Sequence, residues 1–383
     1  MKAVKKRIVL HFPGFEALDA CAHHARYERS AQQTGKLWNI GIMVGSLQSA
    51  GHSNCFATYS RGSEWQTVSR VHVFDHSDLV AHLESRPLYK RLLSGFRSAL
   101  SVVFQGGATA YFIHAWRFGL FFIFPFILVV LAIAISIGFT AYPYFFDMHP
   151  VHYILSIICA IAFFLHIFIP WSKNLYTLHL FSDWELAVSL ASLDEDRLNR
   201  WLEDRMALVR KALAEEADEY VISSHSMGSS IAVHVIGMLL EREPQLFEGK
   251  RVIFVTLGGA ILQVALLRRA VALRRRVGAI ARAKGIVWFE VQCRTDAIHF
   301  YKSCVTKLTG HAEVVQPRII SIRIKHMLFP ERYRNIRSDL LRIHRQYVLG
   351  ADVRAPFDFI LLTAGPLPAA SFADFSCTNL PSL

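Results

Sequence analysis

Apolar and polar positions along the chain follow three patterns, and each predicts a different kind of element. Short runs rich in β-branched and aromatic residues recur at strand length: Lys6 to Phe12 (KRIVLHF), Leu37 to Leu47, Gln66 to Phe74, Glu219 to Ser223 (EYVIS), Arg251 to Leu257 (RVIFVTL), Ile286 to Cys293 (IVWFEVQC) and Ile319 to Lys325. Between them, apolar residues spaced three and four apart predict helices over Ala17 to Thr34, Trp184 to Ala214, Met227 to Glu241, Ile261 to Ala283 and Pro330 to His344. Strands alternating with helices predict a mostly parallel α/β sheet with helices on both faces. In such a sheet, sites collect at the carboxyl ends of the strands. After Leu362 the chain has turn formers and no period, and a loose tail is expected over 363–383.

The third pattern has no period. Phe118 to Gly138 and Val151 to Trp171 contain no Asp, Glu, Lys or Arg, and about 20 apolar residues suffice to cross a hydrocarbon core of roughly 30 Å. The connector 139–150 holds Pro143, Pro150 and the single charge Asp147. This predicts a transmembrane hairpin; a pair of buried core helices is the alternative, but such helices are usually amphipathic and shorter. Arg97, Arg117 and Lys173 flank the outer ends while the connector lacks Lys and Arg, which by the positive-inside rule puts the bulk of the chain in the cytoplasm. The start, MKAVKKR, is basic like a signal n-region, but IVLHF is too short for an h-region and reads as a first strand.

Composition then narrows the classes. Hydrophobic residues make up 53% of the chain, a surplus held in the two greasy windows. With 28 Phe and 7 Trp, a disordered or low-complexity chain is excluded. The six cysteines form no CxxC pair, so neither a zinc site nor a thioredoxin-type motif is spelled and reduced thiols are expected. Part of the net charge of +12 lies in two basic clusters. In the segment 86–117, Leu88, Leu92, Leu93, Phe96 and Leu100 recur at helical spacing beside Arg86, Lys90, Arg91 and Arg97. That suits a helix lying among lipid headgroups or, equally, a core-packed helix with a solvated face. The other cluster is Arg268, Arg269, Arg274, Arg275 and Arg276. No helix-turn-helix, zinc-finger or RNP-like pattern accompanies either, so lipid headgroups are the expected partner and nucleic acid is not.

The strongest chemical signal follows the strand EYVIS. Ser224-His225-Ser226-Met227-Gly228 runs straight into an apolar helix, the strand–turn–helix order that lifts a serine hydroxyl above a sheet edge. Strand and helix crowd there, so small residues are needed two before and two after the serine; Ser224 and Gly228 supply them, Ser224 standing where a glycine is usual. A Ser-rich loop that merely caps a helix is the bland alternative. No GxxxxGK[ST], HExxH or GxGxxG at a strand-to-helix turn is present, and Gly258-Gly259 alone spells no dinucleotide site, so neither cofactor nor metal is expected.

On these residues the chain resembles the α/β-hydrolase superfamily of serine hydrolases, particularly membrane-associated lipase or esterase-like members. The resemblance covers most of the chain outside the hairpin and is specific at short motifs only. It implies a hydrolase domain in two parts, 1–85 and 173–362, with the basic segment 86–117 and the hairpin 118–172 inserted between them. His11-Phe12-Pro13-Gly14-Phe15-Glu16 looks like the family's oxyanion loop, which implies backbone donors at Met227 and in the Gly14-Phe15 turn, taken as Phe15, since Pro13 has no N–H. The family's order of Ser, then acid, then His implies partners after Ser226. Asp296, in the turn after IVWFEVQC, is the expected acid, although an Asp there can also cap a helix. His344 is the expected base and His326 the competitor, with His299 and His311 behind them. His234 reads as packed or solvated, and His152 and His166 fall in or beside the hairpin, where His166 reads as a bundle contact. The resemblance therefore implies an integral-membrane serine hydrolase acting on an acyl ester, lipid-like in character. An acyltransferase with the same triad and an inactive hydrolase-like scaffold remain open, as do substrate identity and oligomeric state.

Overall fold

The computed structural model describes residues 3–50 and 53–383. Nine strands form one sheet: β1 Lys6–Phe12, β2 Gly41–Val44, β3 Gln48–Ala50, β4 Ser53–Arg61, β5 Gln66–Val73, β6 Glu219–His225, β7 Val252–Leu257, β8 Ile286–Cys293 and β9 Arg318–Ile322. Their order is β2-β4-β5-β1-β6-β7-β8-β9, with β3 pairing β4. Every pairing from β5 to β9 is parallel, and those among β2, β3, β4 and β5 are antiparallel. The fold is thus α/β with a mixed, mostly parallel sheet. Strands β6 and β7 are buried at every position, which is why they read as unbroken apolar runs. The expected strand Leu37 to Leu47 shrinks to β2, because the preceding helix Ala20–Trp38 runs on until Asn39 turns left-handed at φ 55°.

Helices pack on both faces. Thr177–Ser192, Asp196–Leu213, Gly228–Arg242 and Val271–Arg282 contribute to one core, and Ala20–Trp38 and Phe359–Ala364 to the other. The single helix expected over Trp184 to Ala214 is broken at Leu193, left-handed at φ 54°. The one expected over Ile261 to Ala283 is divided into Ile261–Ala265 and Val271–Arg282.

Two helices are long and apolar enough to cross a membrane, Gly107–Phe145 and Val151–Lys173. The first continues through Pro125 and Pro143 to Phe145, so the connector is far shorter than the expected 139–150. Its backbone kinks at Ala115 (φ −156°, ψ 74°), and its base is sunk in the soluble core. There Phe118 lies 4.5 Å from Phe300 and Phe122 lies 4.6 Å from the fully buried Trp184, ring to ring. Farther along, Ile127, Val130, Leu131, Ile133 and Ile137 face outward. The helix Leu88–Phe104 exposes Tyr89, Leu93, Leu100, Val103 and Phe104. Of its flanking bases, Lys90 and Arg97 are exposed, whereas Arg86 pairs with Glu185 and Arg91 donates to Leu178 O at 3.2 Å. The cluster at 268–276 is largely engaged within the protein: Arg269 pairs with Asp194 at 2.6 Å, Arg275 with Glu241 at 2.9 Å, and Arg274 donates to the Ala265 and Leu267 carbonyls. Arg269 and Arg275 thus meet carboxylates, while Arg274 keeps its charge against neutral carbonyls.

The tail is not loose along 363–373. Arg7 of β1 donates from Nε to Glu219 Oε2 at 2.9 Å and from its terminal nitrogens to the Gly365 and Leu367 carbonyls at 2.7 Å. Glu219 accepts the Ala369 N–H at 3.0 Å, and Phe372 is fully buried. A buried ion pair whose remaining valences need backbone partners explains what turn-rich composition hides, since a lone buried charge is costly. Replacing Glu219→Gln leaves Arg7 buried without its counter-charge. It is expected to destabilise the fold by about 3–5 kcal/mol and to open the chain to proteolysis after Leu362; unchanged melting and an uncut tail would contradict this role.

Burial also pushes the Glu290 carboxyl up to about 8, against a hydrogen bond from Gln292 Nε2 at 2.9 Å that opposes it. The folded state keeps this proton after the unfolded chain has released it, so stability is fullest below the ordinary carboxyl range and declines as pH rises towards 8. Glu290→Gln is expected to flatten that decline, and parallel pH profiles of melting temperature for parent and variant would show the carboxyl to be ionised throughout.

Candidate active site

Strand β6 ends at His225, and Ser226 then takes φ 51°, a left-handed conformation that L-residues other than Gly adopt only under constraint. The constraint is visible on every side. Ser226 N–H donates to Leu257 O at 3.2 Å, and its carbonyl accepts the Ser229 and Ala260 N–H groups at 3.0 and 3.1 Å. A Cβ on Gly228 would lie 2.1 Å from Pro13 O and 2.4 Å from Phe12 O, so only glycine lets the elbow pass the end of β1. A Cβ on Gly14 would lie 2.8 Å from His225 Nδ1 and 3.2 Å from Ser226 Cβ. Ser224, in the usual glycine's place, is accommodated because its hydroxyl reaches Ser229 Oγ at 3.2 Å and Val255 O at 3.3 Å. Ser224, His225, Met227 and Gly228 are all buried, and Ser226 alone of the five is half-exposed.

The structure brings Asp296 and His344 together. Asp296 follows β8 in a turn whose Ile298 N–H donates to Oδ1 at 2.9 Å. Its Oδ2 takes His344 Nδ1 at 2.7 Å and the Tyr347 hydroxyl at 3.0 Å. Burial alone would raise the Asp296 pKa; the charges of His344 and His299 and the hydrogen bonds outweigh it and hold the carboxyl well below the usual range. The Tyr347 oxygen also accepts the Cys293 N–H at 3.0 Å, which ties the whole group to the end of β8.

His344 sits on the short helix Leu340–Arg345, against the loop that is hydrogen-bonded to Ser226. Gly258, at φ 51°, follows Leu257; a Cβ there would lie 3.0 Å from His344 Cε1 and 2.6 Å from Tyr347 Cε2. The His225 ring lies 4.8 Å from that of His344, and its Nε2 bonds the His344 carbonyl at 2.9 Å. Burial, with the charge of His344 added, holds the His225 pKa down to about 3, so this ring is neutral and Nε2–H is the donor. The remaining nitrogen, His344 Nε2, is buried and without a hydrogen-bond partner, and Ser226 Oγ makes no hydrogen bond among the described residues.

Neither Met227 N–H nor the Gly14 and Phe15 N–H groups is taken by another protein group among the described residues. The Phe15 turn is braced from outside: its carbonyl accepts His179 Nε2 at 3.0 Å, and His179 Nδ1 meets Glu84 Oε1 at 2.7 Å. Glu16 pairs with Arg26 at 2.7 Å and with Arg345 at 2.6 Å, which ties the turn to the helix carrying His344. Burial would raise Glu16, but these two cations lower it to about 2.

Of the other candidate histidines only His299 lies beside Asp296 among the described residues. His326 is exposed on the helix Ile324–Met327 and its side chain makes no hydrogen bond among the described residues. His234 is packed, bonded to Leu190 O at 3.0 Å and Arg276 Nη1 at 2.7 Å, and His311 bonds Arg274 O at 2.9 Å. His166 is exposed, not a bundle contact. His299 Nδ1 lies 3.4 Å from Asp296 Oδ2 without satisfying hydrogen-bond geometry. Sequence reasoning missed Tyr347, Glu16, Arg345 and His179; only Tyr347, one helical turn beyond His344, carried a positional hint. Among the described residues no group of His, Cys, Asp and Glu is arranged to hold a metal ion. Comparison of the chain with protein-family models, curated proteins and solved structures finds no match.

Gly258→Ala is expected to force a side chain into the left-handed region and to push the Tyr347 and His344 rings outward. The cost should be about 1–3 kcal/mol, read as a lowered melting temperature. A variant as stable as the parent would mean that the rings do not rest on this glycine.

Proposed function

We propose that the chain is a membrane-anchored serine hydrolase of the α/β-hydrolase type that cleaves an acyl ester, lipid-like in character. The observation that carries this is the Asp296–His344 pair, 2.7 Å apart, held against a loop that is hydrogen-bonded to the left-handed, half-exposed Ser226. Ser226 Oγ attacks the acyl carbonyl and passes its proton to His344 Nε2. Asp296 keeps Nδ1 protonated and balances the imidazolium. The tetrahedral oxyanion is met by the N–H groups of Met227 and Phe15. His344 then protonates the departing alkoxide, leaving an acyl group on Ser226; water, deprotonated by the same nitrogen, releases the acid and restores the serine. Transfer of the acyl group to another acceptor uses the same residues with a different second nucleophile. In this reading the two apolar helices anchor the domain, and the excess of positive charge outside the connector favours a cytoplasmic position for it.

A second reading, a hydrolase-like scaffold without turnover, is favoured by one observation: His344 Nε2 and Ser226 Oγ are not hydrogen-bonded to each other. Catalytic hydrogen bonds often close only on substrate, so kinetics decide between the two. Purified full-length protein is expected to hydrolyse a short-chain ester. Ser226→Ala and His344→Ala should fall to background, Asp296→Asn should lose about 10⁴ in kcat, and His326→Ala should match the parent. Turnover that survives Ser226→Ala, or a parent with none, would contradict the hydrolase.

A further inference from the structure

Beside Asp296, on the side lined by His299, lies a cavity of about 210 Å³ between the kink of the first long helix and the segment after β8. Its wall is formed by Trp116, Arg117, Arg294, His299 and Tyr301. The kink is fastened there, since Arg117 Nη1 donates to Arg294 O at 3.0 Å and Ser303 Oγ to His114 O at 3.3 Å. We propose that this cavity binds the phosphate of a bilayer lipid headgroup. This rests on the membrane part of the reading above and is independent of turnover at Ser226.

Charge is the first argument. Arg117 and Arg294 are exposed at the cavity, Lys302 lies over the Tyr301 ring at 5.8 Å, and among the described residues none of the three has a carboxylate partner. In the cluster at 268–276, by contrast, Arg269, Arg275 and Arg276 each meet a carboxylate. The one carboxylate in the wall, Asp296, faces His344, Tyr347 and the Ile298 N–H. The second argument is an unfilled valence: His299 is buried in the wall, its Nδ1 3.4 Å from Asp296 Oδ2 outside hydrogen-bond geometry and its Nε2 without a hydrogen-bond partner. The third is place. Phe112, Ile113 and Trp116 are exposed on the same stretch of helix where the apolar span begins, and an indole beside arginines is the composition of a membrane–water interface. A lipid lying there would put its phosphate between guanidinium groups, whose forked donors match phosphate oxygens, and its chains against the exposed hydrophobic residues. A free phosphate would use the first contact and not the second.

The full-length protein in non-ionic detergent would be titrated by calorimetry with ether-linked dioctyl phosphatidic acid, which presents no ester to cleave. Ether-linked dioctylglycerol and inorganic phosphate serve as the two comparison probes. The expected result is saturable binding of the phosphatidic acid, at least about tenfold weaker binding of each comparison probe, and a loss of about tenfold or more in Arg117→Gln/Arg294→Gln. Arg117→Lys/Arg294→Lys, which keeps the charge and loses the fork, should fall between the parent and the double Gln variant, and Ser226→Ala should bind like the parent, which separates this test from the fate of the hydrolase reading. Equal binding of the diglyceride, equal binding of inorganic phosphate, or unchanged affinity in a folded double Gln variant would overturn the proposal.

Discussion

Everything at the site depends on one backbone conformation, the left-handed Ser226 between β6 and its helix. Such a residue costs on the order of 1–3 kcal/mol and persists only where its surroundings over-determine it. Here they do: parallel pairing fixes β6 between β1 and β7, Gly228 lets the elbow press against the Phe12 and Pro13 carbonyls, and Leu257 and Ala260 grip the serine's peptide groups on both sides. The hydroxyl is therefore lifted out of a fully buried strand without any freedom of the loop. The strain and the exposure have the same cause.

The second constraint joins the apolar helices to this centre. Phe118 and Phe122 plug into Trp184 and Phe300, and Phe300 lies four residues beyond Asp296 in the same turn. The base of the long helix thus packs against the segment that carries Asp296. On the other side, Glu16 with Arg345 and His179 with Phe15 O bind the turn after β1 to the elements around it. The site lies where the loops after β1, β6, β7 and β8 meet the helix that carries His344.

How much of this was legible in the sequence follows from where each signal arises. Buried parallel strands such as RVIFVTL announce themselves because both faces are apolar, and the elbow shows because its steric demand falls on named positions. Strand β4, SNCFATYSR, did not show: it is an antiparallel strand with alternating burial beside the edge, and its polar half masks it. Tail packing was hidden for a different reason, since Arg7 and Glu219 hold Gly365 to Ala369 through backbone groups that carry no composition signal. Asp296 was readable from its place just past the strand IVWFEVQC and His344 from the resemblance, after the last expected helix, whereas Glu16 and Arg345 act through tertiary contacts that no local spacing encodes. The connector was overestimated because Pro143 is tolerated within the helix, as proline often is in apolar spans.

The most direct test of the central claim is the position of a covalent adduct. After treatment of the protein with a fluorophosphonate, peptide mass mapping should find a single adduct, on the peptide bearing Ser226, formed slowly or not at all when His344 is alanine. An adduct on another residue, or the same rate of labelling without His344, would contradict the assignment of this serine and this imidazole to one catalytic unit.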